Sequence, residues 1–133
     1  MYTHKTKLRV RYAETDQMKY VYYGIYAQYF EVGRVELLRS LGLSYKKLEE
    51  MGYKLPVVNF NIDYKKPAYY DDELIIETTV VKIHKLKIIF SYKTFNSHNE
   101  LLNTAETTLV FVDSEMEKPC LAPKLLMDKF KFV

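Results

Sequence analysis

One long amphipathic stretch, followed by four strand patterns in a row, is the feature that most limits the folds open to this chain. Over residues 24–41, Ile25, Tyr29, Val32, Leu37 and Leu41, joined by Tyr26, Phe30 and Leu38, recur at three- and four-residue steps. Glu31, Arg34, Glu36 and Arg39 fall between them, so the spacing predicts a helix with a broad apolar stripe. Gly42 stands where a left-handed residue ends such a helix. At about 1.5 Å per residue it runs roughly 27 Å, the length of a strand of about eight residues at about 3.3 Å each. One helix of that size can cover a sheet along a whole strand.

The strands are legible from period two. Leu8, Val10 and Tyr12 alternate with Lys7, Arg9 and Arg11, which predicts a half-buried first strand with a tail before it. Ser44 reads as the N-cap of a second, short helix to Met51, closed by Gly52. Val58, Phe60, Ile62 and Tyr64 alternate with Val57, Asn59, Asn61 and Asp63, and Pro67 ends that strand. Tyr70, Asp71 and Asp72 read as a turn. β-Branched and aromatic runs at 74–83 and 86–95 meet near His84 and Lys85, residues 97–100 form a hairpin turn, and 101–112 return as a long strand. Pro123 opens a last short helix through Phe130. A bare sheet face needs a cover, and only the long helix can supply it. The expectation is one α+β domain over residues 1–133, an antiparallel sheet wrapped on a central helix.

Composition narrows the function classes. The 20 basic and 17 acidic residues leave a formal charge of +3, too diffuse to single out a nucleic-acid partner. The single cysteine, Cys120, excludes an intrachain disulfide framework and a thiolate-rich metal site. Neither a leader-like apolar segment nor a run able to cross a bilayer is present, which predicts a cytoplasmic protein without integral membrane association. His4, His84 and His98 lack metal spacing and read as solvated residues of the tail, a strand end and a turn. Gly24, Gly33, Gly42 and Gly52 never cluster into a phosphate loop, and no serine stands in an elbow motif. No metal and no cofactor are expected. The basic run 82–87 reads as a solvated turn.

Asp16 remains. It interrupts the first strand just before the long helix, whose N-terminus presents unpaired N–H groups and about half a positive charge. The gap to Gly24 is too long for simple capping, and Tyr20, Val21, Tyr22 and Tyr23 make it unusually aromatic. A carboxylate, free helix N–H groups and an apolar pocket suit acyl chemistry, in which the N–H groups polarise a carbonyl and the carboxylate attacks it or activates water.

The block from Arg9 to Met18 (Arg-Val-Arg-Tyr-Ala-Glu-Thr-Asp-Gln-Met), with Val21, Tyr22, Tyr23, Tyr26, Tyr29-Phe30-Glu31 and Arg34-Val35-Glu36-Leu37-Leu38-Arg39, resembles the 4-hydroxybenzoyl-CoA thioesterase family of hotdog-fold acyl-CoA thioesterases. The similarity is narrowest to its bacterial YbgC-like branch, and it continues through Leu55-Pro56-Val57, Pro67-Ala68 and residues 107–112. The resemblance implies a hotdog fold of five to six strands and a homodimer or homotetramer with its active sites at the subunit interface. It also implies hydrolysis of an acyl-CoA without metal or cofactor. By position, Asp16 matches the catalytic carboxylate, and Tyr23 matches the residue whose backbone N–H bonds the thioester carbonyl. Tyr20, Tyr22 and Tyr26 are expected to line the acyl pocket; Lys19, Lys65, Lys66 and Lys85 are the basic candidates for the nucleotide end. The family usually has Gly where this chain has Lys19, so a backbone of positive φ there would have to be adopted by lysine.

Four rival readings are open. A hotdog dehydratase needs a histidine near the central helix. The other thioesterase branch carries its carboxylate inside that helix, where Glu31 and Glu36 are available. A thioesterase acting on acyl carrier protein, or a non-catalytic acyl-thioester binder, would share the same frame.

Overall fold

The computed structural model describes residues 1–130. Strand β1 (Tyr2–Arg9) leads through a single 3₁₀ turn (Tyr12–Glu14) and the Asp16 loop to a second 3₁₀ turn (Tyr23–Ile25), which runs directly into helix α1 (Tyr26–Ser40). Helix α2 (Tyr45–Glu50) and strand β2 (Tyr53–Lys54) follow, then β3 (Val57–Tyr64), β4 (Glu73–His84), β5 (Lys87–Phe95) and β6 (Leu101–Val110). Short strands β7 (Val112–Asp113) and β8 (Lys118–Pro119) precede helix α3 (Lys124–Lys129).

The main sheet is antiparallel with order β1-β4-β5-β6-β3, and α1 lies across β1 and β4. Phe30, Leu37 and Leu38 of the helix are buried against Leu74, Ile76, Val80, Phe90 and Tyr92 of the sheet. This is the helix-covered sheet that the periodicities predict. Both predicted stops hold: Gly42 and Gly52 take φ of 80° and 96°. Ser44 caps α2, its hydroxyl accepting from Lys47 N–H at 3.0 Å.

Four local expectations are corrected. Strand β1 begins at Tyr2, and His4 is half-buried within it instead of lying in a tail, because Tyr2, His4 and Thr6 form an inward row that hydropathy does not register. Tyr12 is 78% exposed, since the strand ends before it and the backbone turns. The helix starts with a 3₁₀ turn before its α-helical body. The last long strand breaks at Phe111, whose side chain is buried while its N–H bonds Leu86 O at 2.9 Å, and the chain then joins a separate sheet of order β2-β7-β8. No helix is long and apolar enough to cross a membrane among the described residues.

Edge strand β3 departs from its predicted half-burial. Its residues are exposed on both faces apart from a half-buried Ile62, including Val58 at 56% and Phe60 at 39%. An unpaired edge carrying exposed apolar side chains is a template for another chain.

Candidate active site

The Asp16 loop is closed like a hairpin. Thr15 bridges Val21 and Tyr20 bridges Tyr69, while Val21 N–H bonds Ala68 O at 2.8 Å. At its tip, Asp16 N–H bonds Tyr20 O at 3.0 Å and Lys19 N–H bonds Asp16 O at 2.9 Å. The Asp16 side chain completes the turn, with Oδ1 accepting from Met18 N–H at 2.8 Å, as short acidic side chains do in turns. Its Oδ2 has no hydrogen-bond partner among the described residues. One carboxylate oxygen therefore fixes the side chain and the other is unengaged among the described residues.

Lys19 adopts φ of 71°, the left-handed region that glycine occupies without strain. The loop thus has a left-handed backbone at this position, at the cost of placing a Cβ-bearing residue there. Replacing Lys19 with Gly is expected to stabilise the protein by about 0.5–1 kcal/mol, after the extra unfolded-state freedom of glycine is subtracted. Urea denaturation measures this, and an unchanged or lower midpoint would contradict the strain.

Beneath the loop, Glu14 is a buried carboxylate. Its Oε1 accepts from Arg11 N–H and from the Tyr29 hydroxyl, both at 2.8 Å, and its Oε2 accepts from Arg11 Nε at 2.9 Å. Tyr22 N–H bonds Glu14 O at 2.9 Å, which ties the start of the helix to the same residue. Burial pushes the Glu14 carboxyl up, but the Arg11 N–H, the Tyr29 hydroxyl and the Arg11 guanidinium outweigh it and hold the group below 4.5. A folded carboxyl that titrates low contributes stability present above pH 4.5 and lost as pH falls through its folded value. Glu14→Gln is expected to cost about 1–3 kcal/mol at neutral pH. It should also flatten the acid limb of stability below pH 4.5. Parallel acid limbs for the two proteins would contradict this.

The helix start completes the arrangement. Its first closed bond is Ile25 N–H to Tyr22 O at 2.9 Å, so the Tyr23 and Gly24 N–H groups precede the hydrogen-bonded turns as orphan donors. Asp16 and Tyr23 line one cavity of about 330 Å³. Its lining includes Tyr20, Tyr26 and Tyr64, with Lys65 and Lys66. Tyr64 donates to Tyr23 O at 2.9 Å and so braces the helix entry. Burial first, then Tyr64 and Asp72, push the Tyr26 phenol up to about 12, so it stays neutral.

Of the predicted site residues, Asp16, Tyr20, Tyr23, Tyr26, Lys65 and Lys66 meet at this cavity. Tyr22 and Lys19 do not line it, and the Tyr22 ring packs at a tilt of 45° against Tyr23 with ring centroids 4.7 Å apart. Lys85 sits in the β4–β5 turn, at the far end of β4 from the Val10–Asp72 bond that anchors the Asp16 side. Tyr64 was legible only as a strand residue, and the β-alternation that reveals the strand says nothing of a cavity beside it.

The thioesterase-like superfamily model matches residues 10–130. The chain belongs to that superfamily. YneP of Bacillus subtilis is 38% identical to this thioesterase over 128 residues, covering 96% of it and 93% of YneP. The acyl-CoA thioester hydrolase YbgC of Escherichia coli is 33% identical over 124 residues, covering 93% of this chain and 92% of YbgC. Among solved structures, a DHNA-CoA thioesterase of Staphylococcus aureus superposes with a TM-score of 0.95 at 32% identity, covering 99% of this thioesterase and 91% of that chain. The sheet and central helix of this thioesterase are thus the hotdog fold.

Proposed function

We propose that this thioesterase hydrolyses acyl-CoA to the free acid and CoA in the Asp16 cavity. The observation that carries the reading is that a carboxylate with an unengaged oxygen and Tyr23, whose N–H is an orphan donor at the helix start, line one aromatic-walled cavity. The thioester carbonyl oxygen lies at the Tyr23 N–H, where the hydrogen bond and the positive end of the helix favour the charge that builds up as the carbonyl is attacked. Asp16 either attacks the carbonyl carbon or removes a proton from the water that does. In either route the C–S bond breaks and CoA leaves as the thiol. Attack gives a mixed anhydride that water opens at the Asp16 carbonyl, whereas in the base route water adds to the thioester carbonyl directly and its oxygen ends in the acid. Single-turnover hydrolysis in ¹⁸O-water separates the routes: label in the Asp16 carboxylate marks attack, and its absence marks the base.

The aromatic rings and the cavity of about 330 Å³ suit short or ring-shaped acyl groups. Lys66 is paired with Glu100 at 2.6 Å, whereas Lys65 has no ion pair among the described residues, so Lys65 is assigned to a CoA phosphate. Two copies pair through the exposed β3 edge into a homodimer that closes the site at its seam. The outer sheet face, with Lys5, Glu77, Lys93 and Asp63 across it, is too charged to bury a second dimer readily. The test is release of free thiol from acetyl-, hexanoyl-, benzoyl- and palmitoyl-CoA, with the mass followed by light scattering. Turnover of the short or aromatic thioesters by a dimer is expected, with palmitoyl-CoA slowest. No thiol release from any of them would refute the reading.

A further inference from the structure

The most buried guanidinium of the central helix plays no part in this chemistry. Arg34 is 7% exposed, and eight residues separate it from Tyr26, about 12 Å along α1. Its Nε donates to the Tyr45 hydroxyl and its Nη1 to the Tyr92 hydroxyl, both at 3.2 Å. An arginine has five N–H groups, so three remain without a hydrogen-bond partner among the described residues. No carboxylate forms an ion pair with it there. A buried charge held only by two neutral phenols is costly, and such groups are ordinarily matched by an anion.

Space for that anion lies beside it. Arg34 lines a cleft of about 840 Å³ between α1, α2 and the small β2-β7-β8 sheet. The walls are largely apolar, with Val35, Leu48, Leu55 and Val112 among them. Three exposed acids, Glu31, Glu49 and Glu117, line the same cleft; Glu117 pairs with Lys54, which also lines it, and none of the three pairs with Arg34. Such a cleft repels a polyanion at its entrance, yet rewards one negative charge that reaches Arg34 and carries an apolar body to cover the walls. We infer that the Arg34 cleft binds a monocarboxylic acid with an apolar tail, the carboxylate on the free guanidinium N–H groups and the tail along Val35 and Leu55. That is the chemical class of acid released by thioester hydrolysis, so the cleft is a place where product can act back on the protein. The inference stands apart from the catalytic reading, because acid binding is measured with no thioester present.

Calorimetric titration of the full chain with octanoate is the test. Saturable binding of one octanoate per chain is expected, weakened about tenfold or more by Arg34→Met, because hydrogen bonds to charged groups are the strong ones. Since Arg34→Met also removes the Tyr45 and Tyr92 contacts, Val35→Trp serves as a second variant; it fills the cleft from its wall, leaves those bonds in place and should abolish binding. Glu49→Gln, on the exposed surface of α2, should tighten octanoate severalfold. Inorganic phosphate should leave the isotherm unchanged. Absence of saturable octanoate binding, binding that survives Val35→Trp, or displacement by phosphate would each overturn the proposal.

Discussion

Asp16→Asn is expected to lower kcat by about two orders of magnitude or more while leaving the thermal midpoint close to that of the parent. The two halves of that expectation come from the two oxygens of the carboxylate. Oδ1 accepts from Met18 N–H at 2.8 Å and holds the turn. An asparagine carbonyl oxygen does the same, so the loop survives. Oδ2 has no partner among the described residues. In asparagine that position becomes an NH₂ group, which can neither attack a carbonyl nor accept a proton from water. Asp16→Ala removes both oxygens, so it should lose the same activity and about 1 kcal/mol of loop stability besides. Near-normal turnover in the Asn variant would remove Asp16 from either catalytic role. Loss of activity together with loss of fold in the Asn variant would show that the turn, and not the chemistry, requires the charge.

The second large effect lies in the packing that carries the site. Glycine inside a helix costs about 0.5–1 kcal/mol relative to alanine, so Gly33 in the middle of α1 calls for a reason. A Cβ built there would stand 2.4 Å from Thr78 Oγ1 and 3.1 Å from Ile76 Cγ2. Helix and sheet are in direct contact at this point, and threonine is stiff about its first side-chain bond, so the hydroxyl cannot simply swing aside. Gly33→Ala should therefore destabilise by about 1–3 kcal/mol despite its better helix propensity, and Gly33→Leu should prevent folding. Thr78→Ala removes the atom met first. In the Gly33→Ala background it should recover at least about 1 kcal/mol, which a double-mutant cycle reads as a coupling energy. Additive effects of the two changes would mean that the helix does not rest on β4 at Gly33.

Much of this fold is readable because its main elements follow simple periods. The three- and four-residue recurrence from Ile25 to Leu41, the left-handed stops at Gly42 and Gly52 and the Ser44 cap are each enforced by local geometry, so a one-dimensional pattern carries them. The two-residue strands β2, β7 and β8 are too short to express any period, and they exist because Phe111 is drawn into the core and turns the chain away from β6. Strand β3 looks half-buried by alternation, but its inward residues face the open side of the sheet, and no single-chain pattern distinguishes that from a core.

The candidate site divides in the same way. Asp16 could be picked out because a carboxylate, an aromatic run and a helix start are adjacent in sequence, whereas Tyr23 is singled out only by the resemblance to the thioesterase family. Lys19 could be flagged because a glycine is expected there, and its φ of 71° bears out the left-handed backbone. Glu14 and Tyr64 could not be assigned, since both act through contacts across the fold: Glu14 with Tyr29, fifteen residues away, and Tyr64 with the carbonyl of Tyr23, forty-one residues away. Lys85 fails to reach the cavity because β4 carries it to the opposite end of the sheet, a separation that positive charge alone does not reveal.

The vibrational frequency of a ¹³C-labelled thioester carbonyl, bound to the slow Asp16→Asn variant, is the most direct test of how the cavity works. If the Tyr23 N–H and the positive end of α1 pull on the carbonyl oxygen, the C=O band of the bound thioester lies at lower frequency than that of the same thioester in water. A band at or above the aqueous frequency would mean that the carbonyl does not rest at the helix start, and the account of thioester hydrolysis at Asp16 would fail with it.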